Sequence, residues 1–317
     1  MSHSVVIITW RRPLHVSACL GALADGWVTP EEIVVIDASE DDETANVVIG
    51  YPGVTYVRFP PGAGHMTRAR NEGLRHVKGT CISFLDDDVR PARGWSQAVQ
   101  SAFQNPEVAA VAGRVVNGDP GEDQEGVNSI GRLLRRGNLT GNFAADPGEI
   151  ITVDHGIGAN MSFRRDWLAR LGGFRDVFPG TAMREDTDIF LRLNGLGGRS
   201  VFVPSAVVQN DSGSHVVGRR FDLRYAVWGE HNHLLLLVLN YGTSRRSPVW
   251  AYLRFRLPQL AHDEPERRPA SRAARGVGRL AGMLVGGLRG LYWRQSRRGR
   301  QVREDHVGRD LRVRLSS

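Results

Sequence analysis

Four short apolar, β-branched runs separated by helix-like stretches set the limits on how this chain can fold. Val5–Thr9, Glu32–Asp37 (EIVVID), Val54–Phe59 and Cys81–Leu85 read as strands. Between them, Leu14–Ala24 follows Pro13 as a crossover helix, and Met66–His76 reads as a helix with Thr67 as a candidate cap. Trp95–Gln104 is a further predicted helix and Val108–Val116 a further strand. Strands alternating with helices are the mark of an α/β protein with a mainly parallel sheet covered by helices.

The second half changes character. Asp119–Ile151 is polar and Gly-rich, predicting a loop with one helical piece near Ile130–Arg135. Ala159–Phe163 reads as a strand, and Arg165–Leu171 as a helix ended by Gly172-Gly173. Glu185–Leu193 is amphipathic, Ser200–Val203 is a strand bounded by Pro204, and 222–240 is a Leu-rich helix. From Pro258 to Ser271 a Pro/Arg/Glu mixture reads as a linker. Arg275–Arg297 reads as a basic amphipathic helix, and the last 20 residues as a mobile end. The expected organisation is a catalytic domain over 1–221, a helical extension packing on it over 222–262, and a basic linker and tail over 263–317.

Charge is placed unevenly. The net charge is +7, yet Glu266–Ser317 holds 14 Arg against 4 acidic residues, leaving the first 265 residues at −3. The basic character therefore belongs to the tail. That tail lacks interleaved aromatics apart from Tyr292-Trp293, which argues against a nucleic-acid partner and for an anionic membrane surface. The longest apolar stretches, Leu234–Leu239 and the neighbourhood of Leu280–Leu288, fall short of the roughly 20 residues a spanning helix needs. No basic n-region with an apolar h-region precedes Val5. Cys19 and Cys81 fall in patterns of a buried helix and a buried strand, as suits a reducing compartment. These features predict a cytoplasmic protein, attached at most to the inner face of a membrane.

The chemistry concentrates in Phe84-Leu85-Asp86-Asp87-Asp88-Val89. In an extended chain, residues two apart share a face, which pairs Asp86 with Asp88 and turns Asp87 away. Two carboxylates side by side at a strand's end repel unless a cation lies between them. Oxygen ligands at that spacing suit Mg²⁺ or Mn²⁺ with positions left for phosphate oxygens. A second pair, Glu185-Asp186, opens the amphipathic helix, and Asp186 there can accept a proton from a hydroxyl nucleophile. Asp37 ends a buried strand, where it can accept from a base N3–H or cap the following turn. Arg68 and Arg70 at a helix start suit pyrophosphate or base contacts, or a surface ion pair.

Taken in order, these segments resemble the successive motifs of family 2 glycosyltransferases. Thr9-Trp10-Arg11-Arg12-Pro13, Val34–Asp37, Ala69-Arg70-Asn71-Glu72-Gly73 and Phe84–Asp88 come first. Gly158-Ala159-Asn160-Met161-Ser162-Phe163-Arg164-Arg165, Gly172-Gly173-Phe174 and Glu185-Asp186 follow. The likeness covers about residues 4–240 and implies a GT-A fold, a nucleotide-diphosphate sugar donor, a divalent metal and inversion at the anomeric carbon. Carried over, Thr9, Arg11, Asp37, Arg68 and Arg70 bind the donor, with Asp37 favouring uracil or thymine. Asp86 reaches the ribose, Asp88 binds the metal with Asp87 as its rival, and Gly158, Ala159 and Asn160 line the sugar pocket. Asp186 is the general base beside Glu185, and a hydroxyl of a glycan, a lipid-linked glycan or a small natural product is the acceptor.

The chain departs from the pattern in two places. Ala38-Ser39 stands where many relatives carry glycine or asparagine, and Val208-Gln209-Asn210-Asp211 where some carry a metal-binding histidine. His215 is the nearest candidate for that metal role, against its reading as an ordinary loop histidine. Glu230-His231-Asn232-His233 fits no strong zinc spacing and reads as helix surface. A haloacid-dehalogenase-type phosphatase also uses an aspartate motif after an apolar strand. It wants a lysine downstream, whereas the one lysine, Lys78, lies upstream. A nucleotidyltransferase would show a Gly-rich basic loop after the first strand, and a non-catalytic binding protein of the same fold has no need of both Asp88 and Asp186.

Overall fold

A computed structural model describes residues 1–62, 64–180, 182–211, 223–261, 269–295, 311–312 and 315. The chain enters β1 (His3–Thr9) and turns at Pro13, whose fixed φ suits a first helical turn, into α1 (Pro13–Ala24). There follow β2 (Glu32–Asp37), α2 (Glu43–Val48), β3 (Val54–Arg58), α3 (Met66–His76), β4 (Cys81–Asp86), β5 (Val89–Pro91), α4 (Trp95–Ala102) and β6 (Val108–Val116). The second half adds β7 (Ile151–Thr152), β8 (Asn160–Arg164), α5 (Arg165–Leu171), α6 (Glu185–Gly195) and β9 (Arg199–Asn210). Three helices come last: α7 (Leu223–Tyr241), α8 (Pro248–Arg256) and α9 (Pro269–Gln295).

The strands make one sheet in the order β3-β2-β1-β4-β8-β6-β9-β5, with β7 pairing β9. The half formed by β3, β2, β1 and β4 is parallel, as expected. Beyond it β8 enters antiparallel to both β4 and β6, so the whole sheet is mixed. Successive residues of β1 face opposite sides. Val6 joins one core cluster with Ile36, Phe84 and Phe163, while Val5 and Ile7 join another with Val35, Leu85 and Val99. Both faces are covered, which is why the strand sequences are apolar throughout.

Several expectations are corrected. No helix forms at Ile130–Arg135; Leu133 instead bridges Leu139 antiparallel, and a 3-10 turn lies earlier at Val127–Ser129. Pro204 does not end its strand. The β6–β9 register jumps from Gly113↔Val203 to Arg114↔Val207, so Pro204 sits in a bulge where no ladder hydrogen bond is asked of it. Thr67 is not the cap: His65 is the N-cap of α3, and the buried Thr67 hydroxyl has no partner among the described residues.

The stretch Glu230–His233 is buried, not surface, because α7 is enclosed by neighbours. His233 Nε2–H donates to the Gly137 carbonyl (2.8 Å), and burial lowers its pKa to about 3. Glu230 accepts from the Tyr252 hydroxyl at 2.7 Å and pairs with Arg256.

The tail is not a free appendage. Helix α9 starts inside the expected linker and packs along α7. The expected mobile end contains Leu311 and Leu315, both buried in the main core cluster. Leu315 gives its carbonyl to Arg165 Nε at 2.9 Å. Cys19 and Cys81 are buried and unpaired, as expected. Among the described residues no helix is long and apolar enough to cross a membrane.

Candidate active site

Parallel pairing brings the ends of three strands to one line. Thr9 lies opposite Asp37 across β1–β2, and Ile8 lies opposite Asp86 across β1–β4. Ligands of open α/β sheets bind at this carboxyl edge.

Strand β4 stops at Asp86, so the two-residue alternation that paired Asp86 with Asp88 does not extend through the triplet. Asp87 and Asp88 occupy the following turn, and Arg12 spans them: its Nη1 donates to Asp87 Oδ1 at 2.7 Å and to Asp88 Oδ2 at 2.9 Å. Asp87 is not turned away to solvent. It is buried and also accepts from the Thr9 hydroxyl at 2.6 Å. Burial pushes its carboxyl up to about 7, with Arg12 pulling the other way. Asp86 leaves 32% of its side chain exposed, with the rest desolvated beside Arg70. That desolvation raises its pKa against the pull of Arg70, and the facing Asp88 and Asp186 raise it further.

Arg70 is the hub. With 1% of its side chain exposed, it donates to Asp86 Oδ1 (3.1 Å) and to the Gly158 carbonyl (3.3 Å), and it forms an ion pair with Glu185. Burial lowers its pKa, opposed by Asp86 and then Asp186. Next to it, Asp186 accepts from the Gly158 N–H at 3.1 Å and from the Thr187 N–H at 2.7 Å. Gly158 thus gives its carbonyl to Arg70 and its N–H to Asp186, and a Cβ there would lie 2.8 Å from Arg70 Nη2. The segment entering α6 is strained: Ala182 and Arg184 hold φ of 55° and 81°, a region that costs non-glycine residues energy.

Other expected donor residues are placed differently. Asp37 is fully buried, accepting from the Ser39 N–H (2.9 Å), the Ser39 hydroxyl (2.5 Å) and the Tyr56 hydroxyl (2.8 Å), so the turn-capping reading describes its contacts. Arg68 makes an exposed pair with Asp176, and Arg11 with Glu40. Asn160 is walled in behind the site. Its Oδ1 accepts from Trp95 Nε1 at 2.9 Å, and its Nδ2 donates to the carbonyls of Arg114 (3.0 Å) and Ala206 (2.8 Å). Ala159 is half-buried against the second core cluster. His215 lies outside the described residues.

Arg12 lies inside the Thr9–Pro13 motif without any sequence signal for this role. Nothing in a run of arginines marks the one that folds back on two aspartates 75 residues later.

The donor set suits a hard divalent cation. It is made of oxygen atoms with a surplus of negative charge, and a guanidinium already lies across Asp87 and Asp88. Among the described residues no three His, Cys, Asp or Glu side chains converge as a complete cage. Asp86 and Asp88 would supply two oxygen ligands to such a cation, with the remaining positions left to phosphate oxygens and water.

The sequence model described as "Glycosyl transferase family 2" matches residues 4–172. This chain belongs to that family. It is 30% identical over 181 residues to the pre-mycofactocin glycosyltransferase of Mycobacterium tuberculosis, a match covering 56% of this chain and 37% of that protein. The chain thus spans little more than a third of that relative.

Its fold is similar to that of the mannosyltransferase PcManGT of Pyrobaculum calidifontis, solved with GDP-Man and Mn²⁺. There the TM-score is 0.57 at 18% identity, covering 99% of this chain and 85% of that one. GalNAc-T7, solved with UDP, GalNAc and Mn²⁺, gives a TM-score of 0.58 at 15% identity, covering 89% of this chain and 55% of that one. The architecture is the GT-A fold the family resemblance implied.

Proposed function

We propose that this family 2 member transfers a sugar from a nucleoside-diphosphate donor to an acceptor hydroxyl with inversion, using Asp186 as general base. The observation that carries the proposal is the posture of Asp186. Two backbone N–H groups hold its carboxylate at the start of α6, beside the Arg70 hub that also holds Asp86.

The donor's diphosphate lies over the carboxyl edge at Thr9, Asp86 and Asp88, and its sugar lies towards Gly158. A divalent cation such as Mg²⁺ or Mn²⁺, when bound at Asp86 and Asp88, supplies positive charge against the diphosphate. The acceptor oxygen attacks the anomeric carbon from the face opposite the diphosphate. The new C–O bond forms as the bond to the diphosphate oxygen breaks, and the hydroxyl proton passes to an Asp186 oxygen. Gly158 and Thr187 keep that carboxylate from rotating as it takes the proton.

Glu185 serves by anchoring Arg70, not by touching the acceptor. A UDP- or dTDP-sugar fits the Asp37 reading only where the base takes the place of the Tyr56 hydroxyl on Asp37. The acceptor is a hydroxyl of a glycan, a lipid-linked glycan or a small natural product.

The test is a panel of nucleotide sugars with Mn²⁺ and a set of hydroxyl acceptors. Asp186→Asn keeps the shape and the donor site but cannot take the proton, so turnover should fall by about 10²–10⁴-fold. Donor affinity, read by calorimetry, should stay within about threefold, since the base does not act in ground-state binding. Near-normal turnover by Asp186→Asn would remove it from the role.

A further inference from the structure

Helix α9 reverses the usual arrangement of a surface helix. Its inward side is built for contact between backbones, with Gly278, Gly282, Gly286 and Gly290 at four-residue spacing against α7. A Cβ at Gly282 would lie 2.5 Å from the Val227 carbonyl oxygen, and one at Gly286 would lie 2.2 Å from that of His231. Docked this way, the helix cannot roll to hide its other side.

That other side is apolar. Every exposed residue between Ala273 and Leu288 is Ala, Val or Leu. Val277, Leu284 and Leu288 are 68%, 60% and 67% exposed, and Leu280, Val285 and Tyr292 extend the same arc. At 100° per residue these positions cluster on one side, the face a water-facing helix would fill with charge. A contiguous exposed apolar stripe on a folded protein marks something it binds.

Charge identifies the occupant. From Arg267 to Arg303 the chain carries 11 arginines and no acidic residue. A second copy docking by the same face would bring two strongly basic chain segments together. An anionic bilayer surface answers both features, taking the apolar side chains among its acyl chains while the exposed Arg289 and the segment's net positive charge meet its headgroups. We propose that the outward face of α9 seats the folded protein on an anionic membrane surface. The whole domain is thereby fixed in orientation, since α9 is locked to α7. This inference stands whether or not the proposed transfer reaction is correct.

The experiment is flotation of the full chain with vesicles of phosphatidylcholine alone and of phosphatidylcholine with phosphatidylglycerol. Binding is expected to the anionic vesicles and to weaken steeply as salt rises. Leu284→Glu with Leu288→Glu replaces two exposed side chains, so the fold should survive, as circular dichroism would verify. Partitioning should drop at least about tenfold, given the apolar area lost and the charge gained. Arg289→Gln should weaken binding by less than the double substitution. Equal binding to both vesicle types would overturn the electrostatic half of the proposal. No vesicle binding, whether with a monomer or with a dimer that the same substitutions split, would overturn it altogether.

Discussion

Replacing Arg70 by methionine tests the hub of the site most directly. Methionine keeps much of the packing length over Phe174, whose ring centroid lies 5.9 Å from the Arg70 guanidinium carbon. What is lost is the cation between Glu185, 3% exposed, and Asp86. Breaking a buried ion pair from one side costs about 3–5 kcal/mol, because the carboxylate left behind has neither water nor a counter-charge. At about 2–4 °C per kcal/mol for a large domain, the melting temperature should fall by roughly 6–20 °C.

Urea unfolding followed by circular dichroism gives the free-energy difference. The double variant Arg70→Met with Glu185→Leu removes both charges and should recover at least about half of the loss. Turnover should stay low in the double variant even where it is folded, because Gly158 no longer has Arg70 to fix its carbonyl and so holds Asp186 less firmly. A cost below about 1 kcal/mol for the single variant, or a double variant equal to the sum of the singles, would refute the buried-pair reasoning.

Three more outcomes follow from contacts elsewhere in the structure. Arg12→Gln takes a positive charge off Asp87 and Asp88, so Mn²⁺ affinity without nucleotide, read by electron paramagnetic resonance titration, should rise about fivefold; an unchanged or weaker affinity would separate Arg12 from the cation site. Gly286→Ala should loosen α9 from α7 by about 1–3 kcal/mol, seen as faster amide exchange in α9. Gly287→Ala should be neutral or slightly stabilising, because a Cβ there meets only the flexible Leu234 side chain, at 3.2 Å.

The parts of the fold legible in the sequence are those with one dominant cause. Strands β1, β2 and β4 are apolar because both faces of the sheet are covered, and their carboxyl ends show as polar residues after apolar runs. Gly172 closes α5 with φ of 69°, where the residue type alone announces the left-handed cap. Elsewhere the cause was tertiary. Pro204 passes within a strand because a register jump opens a bulge at that point.

Helix α2 is too short for its own periodicity to show, and Glu230, Asn232 and His233 are polar yet buried because distant groups satisfy them. In the site, the aspartates and Asp186 were legible as candidates from type and order alone. Which arginine meets which carboxylate was not, since Arg12, Arg68 and Arg70 look alike in sequence and end in a bridge, an exposed pair and a buried hub.

The placement of Leu311 and Leu315 bears on how the protein is made. These residues share a core cluster with Val6 and Phe84, and a Cβ on Gly173 would lie 2.9 Å from Leu311 Cδ1. A ribosome delivers the first strand long before the leucines that finish its side of the core. Until residue 315 emerges, the nascent sheet keeps an open apolar flank, and loop closure over some three hundred residues must come last. The carboxyl edge of the sheet is thus translated early, while the core beneath it is completed only late.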